Sequence, residues 1–319
     1  MTDKKIAVVL MNLGGPDSLD AVEPFLFNLF SDKDIFKIPV AQKFFAKKIA
    51  KSRAPKVKEQ YKKIGGKSPI NEITEKQREK LEKTLRAQNI DADVFVAMRY
   101  WKPFTNDTAE KINRGNYDKI ILLPLYPHYS LVTIGSAFNE WDRVFNGAQK
   151  VSRINFYFDN EDYHNAINEK IDEAIESIGN KEVHLLFSAH SVPQSLIKKG
   201  DPYQEQILAS VRLIMNSRND KIPYAVSYQS KVGPVKWLEP TTENKIKELA
   251  SAGVKNLVVV PISFVSDHLE TLYELKIEYG EIAKSCGIEN FIVTEGLNDS
   301  DKFINALKNL VINKLNDNE

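Results

Sequence analysis

The chain has 319 residues, of which 42% are hydrophobic and 27% are charged. These proportions are ordinary for a soluble globular protein, and the length allows one large or two ordinary domains. The formal net charge of +1 excludes the strong basic field of nucleic-acid-binding proteins, so we expect no nucleic-acid partner. The single cysteine, Cys286, excludes an intrachain disulfide and any site built from several cysteines of one chain.

The first residues combine a basic start with a short apolar run that is broken by Asn12 and ends in a Gly-Gly turn. This pattern, without a small-residue cleavage site, favours a β-strand over a signal peptide. No apolar run reaches the roughly 18–20 residues that cross a bilayer. We therefore expect an intracellular, cytoplasmic protein.

Short aliphatic runs alternate with longer amphipathic stretches along the chain. The aliphatic runs predict buried parallel strands at Ile6–Met11, Val94–Met98, Ile120–Leu125, Val183–Phe187, Tyr224–Ser227, Leu257–Phe264 and Phe291–Val293. The amphipathic stretches predict helices at Thr74–Gln88, Glu161–Ser177, Tyr203–Ser217 and Thr241–Ser251. This alternation is typical of a doubly wound α/β fold.

The two halves of the chain contain similar segments. Ile120–Pro124 reads IILLP and Leu257–Pro261 reads LVVVP, and polar and aromatic residues follow each of them. We therefore predict two Rossmann-like domains, residues 1–155 and 156–319, each a parallel sheet flanked by helices, with the active-site cleft between them. Neither half contains GxGxxG or GxxxxGK[ST], which argues against a nucleotide cofactor.

Aromatic and titratable residues follow the predicted strands. In an open α/β sheet, ligands bind outside the carboxyl ends of the strands. The residues at these ends are Met11, Arg99, Tyr100, Tyr126, His128, Tyr129, His190, Asp267, His268 and Glu270. This composition suits a large, flat, apolar ligand whose reaction moves protons or a metal ion.

Two interpretations of His190 are open. A histidine at a strand end often bonds a loop carbonyl and has only a structural role. It can also be a base or a metal ligand, because its pKa lies near neutrality. The His268 and Glu270 pair after a strand of the second half favours the chemical role.

Asp267, Glu270, Glu274 and Glu278 recur at steps of three, four and four, which places them on one face of an α-helix. Such a row is either a solvated acidic face or a path that passes hydrated cations inward or protons outward. Its start beside His268 favours the path. Carboxylate oxygens together with imidazole suit a loosely held divalent first-row metal.

The segment Lys37–Lys63 is strongly basic, with ten Lys or Arg residues and Glu59 as its one acid. It also carries apolar residues at Ile38, Val40, Phe44, Phe45 and Ile49. The segment is either a helix with its apolar side in the core or an amphipathic surface that contacts an anionic membrane. The sequence alone leaves both interpretations open.

Seven segments carry a resemblance to a known family: MNLGGPDSLDAVEPFLFNLFSD, YKKIGGKSPI, MRYWKPFT, LYPHYSLVTIGSAFN, FSAHSVPQSLIKKGDPY, YQSKVGPVKWLEPTT and VPISFVSDHLETLYELKIEYGE. Over nearly its whole length the chain resembles ferrochelatases. It is more similar to the mitochondrial and Gram-negative type, which uses protoporphyrin IX, than to the Gram-positive type, which uses coproporphyrin.

The resemblance implies insertion of Fe²⁺ into protoporphyrin IX to form protohaem, the terminal step of haem biosynthesis. Ferrous iron is then a substrate, and no tightly bound cofactor is expected. The implied catalytic residues are His190, Glu270, His268 and Asp267, of which His190 and Glu270 would contact the metal. The implied porphyrin-binding residues are Met11, Tyr61, Arg99, Tyr100, Trp237 and Phe264.

The resemblance also places Lys37–Lys63 at a lip over the porphyrin mouth, which implies peripheral contact with the inner face of the cytoplasmic membrane. One departure concerns the [2Fe–2S] cluster of the animal enzymes, which several cysteines hold. With Cys286 alone we expect no cluster, and we leave open whether the protein is a monomer or a homodimer. The alternatives are a coproporphyrin, cobalt or nickel chelatase, or a haem or metal carrier without catalysis.

Overall fold

The computed structural model describes residues 5–36, 41–179, 181–231 and 233–317. Residues 37–40, the start of the predicted lip with Ile38 and Val40, lie outside the described residues. The described strands form two four-stranded parallel sheets. Unit 1 contains the described residues up to Tyr157 and those from Asn298 onward, and unit 2 is Phe158–Leu297.

Unit 1 contains the first sheet. Its strands are β1 (Ile6–Asn12), β2 (Ala92–Met98), β3 (Lys119–Pro124) and β4 (Lys150–Arg153), in the order β2-β1-β3-β4. Its helices are α1 (Val22–Phe30), α2 (Gln42–Lys62), α3 (Ile70–Arg86), α4 (Thr105–Arg114), the π-helix π1 (Leu131–Gly135), α5 (Ser136–Val144) and α11 (Asp301–Asn316).

Unit 2 contains the second sheet. Its strands are β5 (His184–His190), β6 (Tyr224–Gln229), β7 (Asn256–Pro261) and β8 (Asn290–Val293), in the order β6-β5-β7-β8. Its helices are α6 (Glu161–Ile178), α7 (Gln194–Ile197), α8 (Tyr203–Ser217), α9 (Thr242–Ser251), the π-helix π2 (Glu270–Glu278) and α10 (Tyr279–Ser285).

The central strands are mostly apolar because helices cover both faces of a parallel sheet. Every residue of β1 and of β7 is buried. The two similar sequence segments form β3 and β7, and each lies third in its sheet. The predicted fold class, two Rossmann-like sheets with flanking helices, is confirmed.

Side-chain caps determine where two of the helices begin. The Asn160 side chain caps α6 by accepting a hydrogen bond from the Tyr163 backbone N at 2.9 Å. Thr241 caps α9 in the same way, through the Asn244 backbone N at 3.2 Å. Each cap satisfies one of the backbone donors that a helix N-terminus leaves without a partner.

The structure differs from the sequence prediction at the end of the chain. We predicted residues 156–319 as one domain, but α11 packs on α3 in unit 1. Two hydrogen bonds fix the approach to α11: Gln77 Nε2 donates to the Asn298 carbonyl and Lys80 Nζ donates to the Asp299 carbonyl, both at 2.6 Å. Unit 2 is therefore an insertion within unit 1.

No helix in the described ranges is long and apolar enough to cross a membrane.

Candidate active site

His190 is the last residue of β5, and its backbone is held on both sides. Its N–H donates to Ser263 Oγ at 2.9 Å, and its carbonyl accepts from Tyr203 Oη at 2.9 Å. The ring Nδ1 lies 2.8 Å from the carbonyl oxygen of Ser191. A carbonyl only accepts, so Nδ1 carries the hydrogen and Nε2 of the neutral ring keeps its lone pair. Nε2 is therefore the atom that can take a proton or bind a metal.

His268 and Glu270 form a second reactive pair, just after β7. His268 Nδ1 lies 2.9 Å from the Ser266 carbonyl, so Nδ1 also carries a hydrogen. His268 Nε2 lies 3.0 Å from Glu270 Oε2. At this distance the imidazole and the carboxyl group are close enough to exchange a proton.

Phe264 joins the two histidines into one cluster. Its ring centroid lies 6.0 Å from that of His190 at an interplanar angle of 87°, and 4.3 Å from that of His268 at 65°. The structure thus brings together four of the predicted residues: His190, Phe264, His268 and Glu270. This cluster combines an apolar ring face with groups that move protons.

Asp267 is buried beneath this cluster. Its Oδ1 accepts from Thr271 Oγ1 at 2.8 Å and its Oδ2 from the Gly296 backbone N at 3.2 Å. Thr271 Oγ1 in turn accepts from the His268 backbone N at 3.0 Å. The carboxylate therefore holds the turn that presents His268 and Glu270.

The carboxylates that were predicted to line one face of an α-helix do not form a uniform row in the structure. Glu270–Glu278 is a π-helix, in which i→i+5 hydrogen bonds replace the i→i+4 bonds of an α-helix. Glu270 contacts His268, whereas Glu274 accepts from Ser230 and from Tyr279. Glu278 is exposed. The acidic residues therefore occupy different environments.

In unit 1, Asp32 is the centre of a second polar cluster. Its Oδ2 accepts from Tyr100 Oη at 2.5 Å and from Ser136 Oγ at 2.6 Å, and lies 3.0 Å from Arg99 Nη2. Arg99 Nε also donates to Ser136 Oγ at 2.9 Å. The guanidinium lies 5.1 Å from the Tyr100 ring centroid. These contacts fix the orientation of the arginine.

The electrostatics of this cluster follow from its burial. Burial acts to raise the pKa of Asp32, but the hydrogen bonds from Ser136 and Tyr100 and the charge of Arg99 outweigh it, so the pKa is lowered. Burial, together with the Asp32 charge, raises the pKa of Tyr100 well above its usual value. Asp32 is therefore ionised and Tyr100 neutral near pH 7.

Sequence reasoning missed Asp32, Ser136 and Ser263. All three lie within quoted family segments, which is the signal that could have found them: Asp32 in MNLGGPDSLDAVEPFLFNLFSD, Ser136 in LYPHYSLVTIGSAFN and Ser263 in VPISFVSDHLETLYELKIEYGE. Ser136 and Ser263 are small polar residues whose partners lie far away in the sequence or in the backbone. Such contacts have no periodicity that a single sequence could reveal.

The remaining predicted porphyrin residues lie in different places. Met11 and Tyr61 are buried within unit 1, at 1% and 4% exposure. Trp237 of unit 2 lines a cavity of about 490 Å³, together with Lys231 and Lys236. Within the described ranges, no group of three or more His, Cys, Asp or Glu side chains could hold a metal ion. Metal contact by His190 and Glu270 stays a prediction.

The sequence profile of the Ferrochelatase family matches residues 5–315. The chain belongs to the ferrochelatase family. It is 51% identical over 314 residues to "Ferrochelatase" of Geotalea uraniireducens (strain Rf4), covering 97% of each chain. It is 48% identical over 315 residues to "Ferrochelatase" of Aquifex aeolicus (strain VF5), covering 98% of this chain and 100% of that one. The resemblance stated from the sequence segments is confirmed.

A solved structure, SirB from Bacillus subtilis with Fe³⁺, is 12% identical and has a TM-score of 0.57, over 97% of this chain and 95% of that one. At this identity the likeness is one of fold. Ferrochelatase membership rests on the sequence relatives, and the fold neighbour agrees with two Rossmann-like sheets.

Proposed function

We propose that this chain is a ferrochelatase that inserts Fe²⁺ into protoporphyrin IX and releases two protons. The observation that carries the proposal is the cluster of His190, Phe264, His268 and Glu270 at the carboxyl ends of β5 and β7, in a chain of the ferrochelatase family. Iron enters as a substrate and leaves within the product.

The reaction sets two physical requirements. The planar porphyrin hides its nitrogens from the incoming metal, and two pyrrole protons must leave as the metal enters. Holding the ring in a bent shape costs about 1–5 kcal/mol, which binding of the rest of the ring can offset. A base with a pKa near neutrality suits the proton transfer.

His190 is proposed to accept a pyrrole proton at Nε2. The Nδ1–H bond to the Ser191 carbonyl fixes this tautomer, and the Ser263 and Tyr203 bonds hold the backbone. The His268–Glu270 pair is proposed to deliver iron or to carry the proton outward, and Asp267 supports its turn. In each of these roles, the hydrogen bonds to neighbouring groups determine which atom of the side chain is available to react.

Porphyrin binding is proposed for the residues that the family resemblance implies: Met11, Tyr61, Arg99, Tyr100, Trp237 and Phe264. Arg99 is the cation suited to a porphyrin carboxylate, because a planar guanidinium binds carboxylates through paired hydrogen bonds. Its contacts with Asp32 and Ser136 would keep it in one orientation.

Peripheral membrane contact is the finer part of the proposal, and α2 supports it. One side of this helix is buried through the small residues Ala46, Ala50 and Ala54. Phe44 and Phe45 are 55% and 45% exposed. The alternative interpretation, in which these two rings lie in the core, is therefore wrong. Exposed rings among lysines are typical of a helix that lies on an anionic membrane.

We also propose that one chain holds no iron–sulfur cluster, because Cys286 cannot supply the several thiolate ligands that a cluster requires.

The deciding experiment is anaerobic incubation of the purified protein with ferrous iron and protoporphyrin IX, following protohaem formation by absorbance. Parallel reactions contain coproporphyrin, or cobalt or nickel in place of iron. The proposal expects turnover, with protoporphyrin and iron as the best pair. Stoichiometric haem binding without turnover would instead identify a carrier, and faster reaction of another pair would identify another chelatase.

A further inference from the structure

The Glu274 carboxylate of π2 accepts four hydrogen bonds. They come from Gln229 Nε2 at 3.2 Å, the Ser230 backbone N at 2.9 Å, Ser230 Oγ, and Tyr279 Oη at 2.9 Å. An ionised carboxylate has about four lone-pair sites. The four protein donors therefore occupy the lone pairs of Glu274 that a bound cation or a transferred proton would need.

Ser230 is a non-glycine residue in the left-handed region, with a φ of 65°. Side chains disfavour this region, so surrounding contacts must hold such a residue in it. Both polar groups of Ser230 that can donate, the backbone N–H and the hydroxyl, donate to Glu274. The carboxylate is thus positioned to maintain this backbone conformation.

The conformation of Ser230 sets the direction of the chain that leaves β6. The next residues, through Glu239, include Lys231, Lys236 and Trp237, which line the 490 Å³ cavity of unit 2. At its far end this segment is tied down by a Leu238 N–H bond to the Val192 carbonyl at 3.2 Å. Gln194 adds two bonds at this end, from its N–H to the Lys236 carbonyl at 2.9 Å and from Nε2 to the Trp237 carbonyl at 3.0 Å. Glu274 therefore holds the start of the segment, and Val192 and Gln194 hold its far end.

A buried polar chain holds Glu274 from the sheet side. Gln229 Nε2 donates to Glu274, and Gln229 Oε1 accepts from Ser188 Oγ at 2.8 Å. Ser188 Oγ also lies 2.7 Å from Thr242 Oγ1. Since Ser188 lies in β5 and Gln229 ends the neighbouring strand β6, this chain connects π2 to both strands.

We propose that Glu274 is a positioning residue: it holds Ser230 in the left-handed conformation and thereby orients the described residues that follow β6, among them Lys231, Lys236 and Trp237, beside the porphyrin. It does not carry iron or protons along the acidic residues. The part that concerns porphyrin rests on the proposed ferrochelatase function, whereas the anchoring of the segment does not.

Glu274→Gln tests the anchor. A glutamine offers one accepting oxygen and places an NH₂ donor against donors, so it cannot accept the four bonds. Trypsin cleavage after Lys231, the residue next to the anchored Ser230, then rises about tenfold, because cleavage follows the population of the released segment. Glu278→Gln, four residues further on, is the matched control and leaves the cleavage rate at the wild-type value.

The double variant Glu274→Gln/Ser230→Gly separates the two roles. Glycine adopts a positive φ without an anchor, so a positioning role predicts that cleavage and the Kd for metal-free protoporphyrin return toward wild type. A carrier role predicts no rescue, because the carboxylate is still missing. It also predicts a raised KM for Fe²⁺ with an unchanged Kd for porphyrin.

If Glu274→Gln does not fold, Ser230→Ala replaces it. This change keeps the carboxylate and removes one of its donors, so a smaller acceleration of cleavage is expected. Wild-type cleavage in a folded Glu274→Gln or Ser230→Ala protein overturns the proposal, as does a loss of iron turnover that Ser230→Gly fails to rescue. Failure of the ferrochelatase function appears separately, as wild-type protein that forms no haem.

Discussion

Units 1 and 2 share one strand order but carry different chemistry at the carboxyl ends of their strands. In each unit a π-helix follows the third strand of the sheet, π1 after β3 and π2 after β7. In unit 1 the polar groups form a closed ion-pair network around Asp32. In unit 2 two imidazoles flank one aromatic ring. The two units therefore share a topology, and the residues that follow the strands determine the chemistry of each unit.

The two clusters also differ in how much of their side chains is exposed to solvent. The Asp32 side chain is 0% exposed and that of Arg99 13%, whereas Glu270 is 31% exposed beside a His268 at 6%. A closed, buried ion pair is suited to hold and orient a substrate. A partly open imidazole–carboxylate pair is suited to exchange protons or metal ions with the solvent. The two clusters thus differ in how open they are to exchange with solvent.

The largest expected effect comes from removing His190, the proposed base of unit 2. His190→Ala should lower kcat for haem formation by about 10²–10⁴-fold, the usual contribution of a positioned acid or base. Binding of metal-free protoporphyrin, measured by fluorescence titration, should persist. His184→Ala is the matched control, because His184 begins the strand that His190 ends. Near-normal turnover in folded His190→Ala protein would remove His190 from the mechanism.

The next effect comes from opening the network of unit 1. Asp32→Asn should lower the free energy of unfolding by about 3 kcal/mol, because it removes the nearer carboxylate beside the buried Arg99 charge and leaves only Glu140, at 3.6 Å. Urea denaturation measures this loss. Asp20→Asn removes an exposed partner of Lys58 and should have little effect. If His190→Ala destabilises the protein as much as Asp32→Asn, the contrast between the units fails.

The same network predicts a pH dependence. The pKa of Asp32 is lower in the folded protein than its ordinary value of 3.8. Its contribution to stability is therefore fully present above that value and is lost as the pH falls through the folded pKa. Wild type should lose more stability than Asp32→Asn between pH 5 and about pH 3. Parallel loss in both proteins, measured by urea unfolding, would show that Asp32 does not contribute.

A smaller effect distinguishes the carboxylates of unit 2. Glu270→Gln should lower kcat by about 100-fold, since it removes the carboxylate that lies 3.0 Å from His268 Nε2. Glu278→Gln should cost much less, because Glu278 lies at the exposed end of π2. Equal losses of kcat in the two variants would mean that the acidic residues act only as a general negative field.

The smallest effect concerns the exposed face of α2. Wild type should sediment with anionic vesicles, more strongly at low salt, since each lysine near such a surface contributes about 1 kcal/mol. Replacing Lys43, Lys47, Lys48 and Lys51 with Gln should weaken sedimentation with little change in Tm. The same number of changes at the exposed Lys76, Lys83, Lys221 and Lys284 is the control. Unchanged sedimentation of the α2 variant would assign the lysines to solubility alone.

The sequence predicted the central strands well because burial on both faces requires continuous apolar runs, as in β1 and β7. It missed β4, whose residues Lys150–Arg153 read KVSR and form a short, polar edge strand. It predicted α8 at its observed bounds, Tyr203–Ser217. Strands and helices with a clear apolar pattern were therefore within reach of a single sequence.

The site was predicted less completely. His190, His268 and Glu270 follow strands, so the topology alone brings them to one edge of a sheet. Asp32 and Ser136 join Arg99 through contacts that span 104 residues in the case of the Asp32–Ser136 bond. The spacing of Glu270, Glu274 and Glu278 predicted an α-helix, because carboxylates four apart do not distinguish an α-helix from a π-helix.

The return of α11 to unit 1 has a consequence for synthesis on the ribosome. The partner of α3 is translated only after all of unit 2, a delay on the order of ten seconds at the usual speed of elongation. During that time unit 2 has its whole sequence and can fold, while α3 still lacks the helix α11 that packs on it in the folded protein. Unit 2 of the nascent chain is thus able to fold before unit 1, although the synthesis of unit 1 starts first.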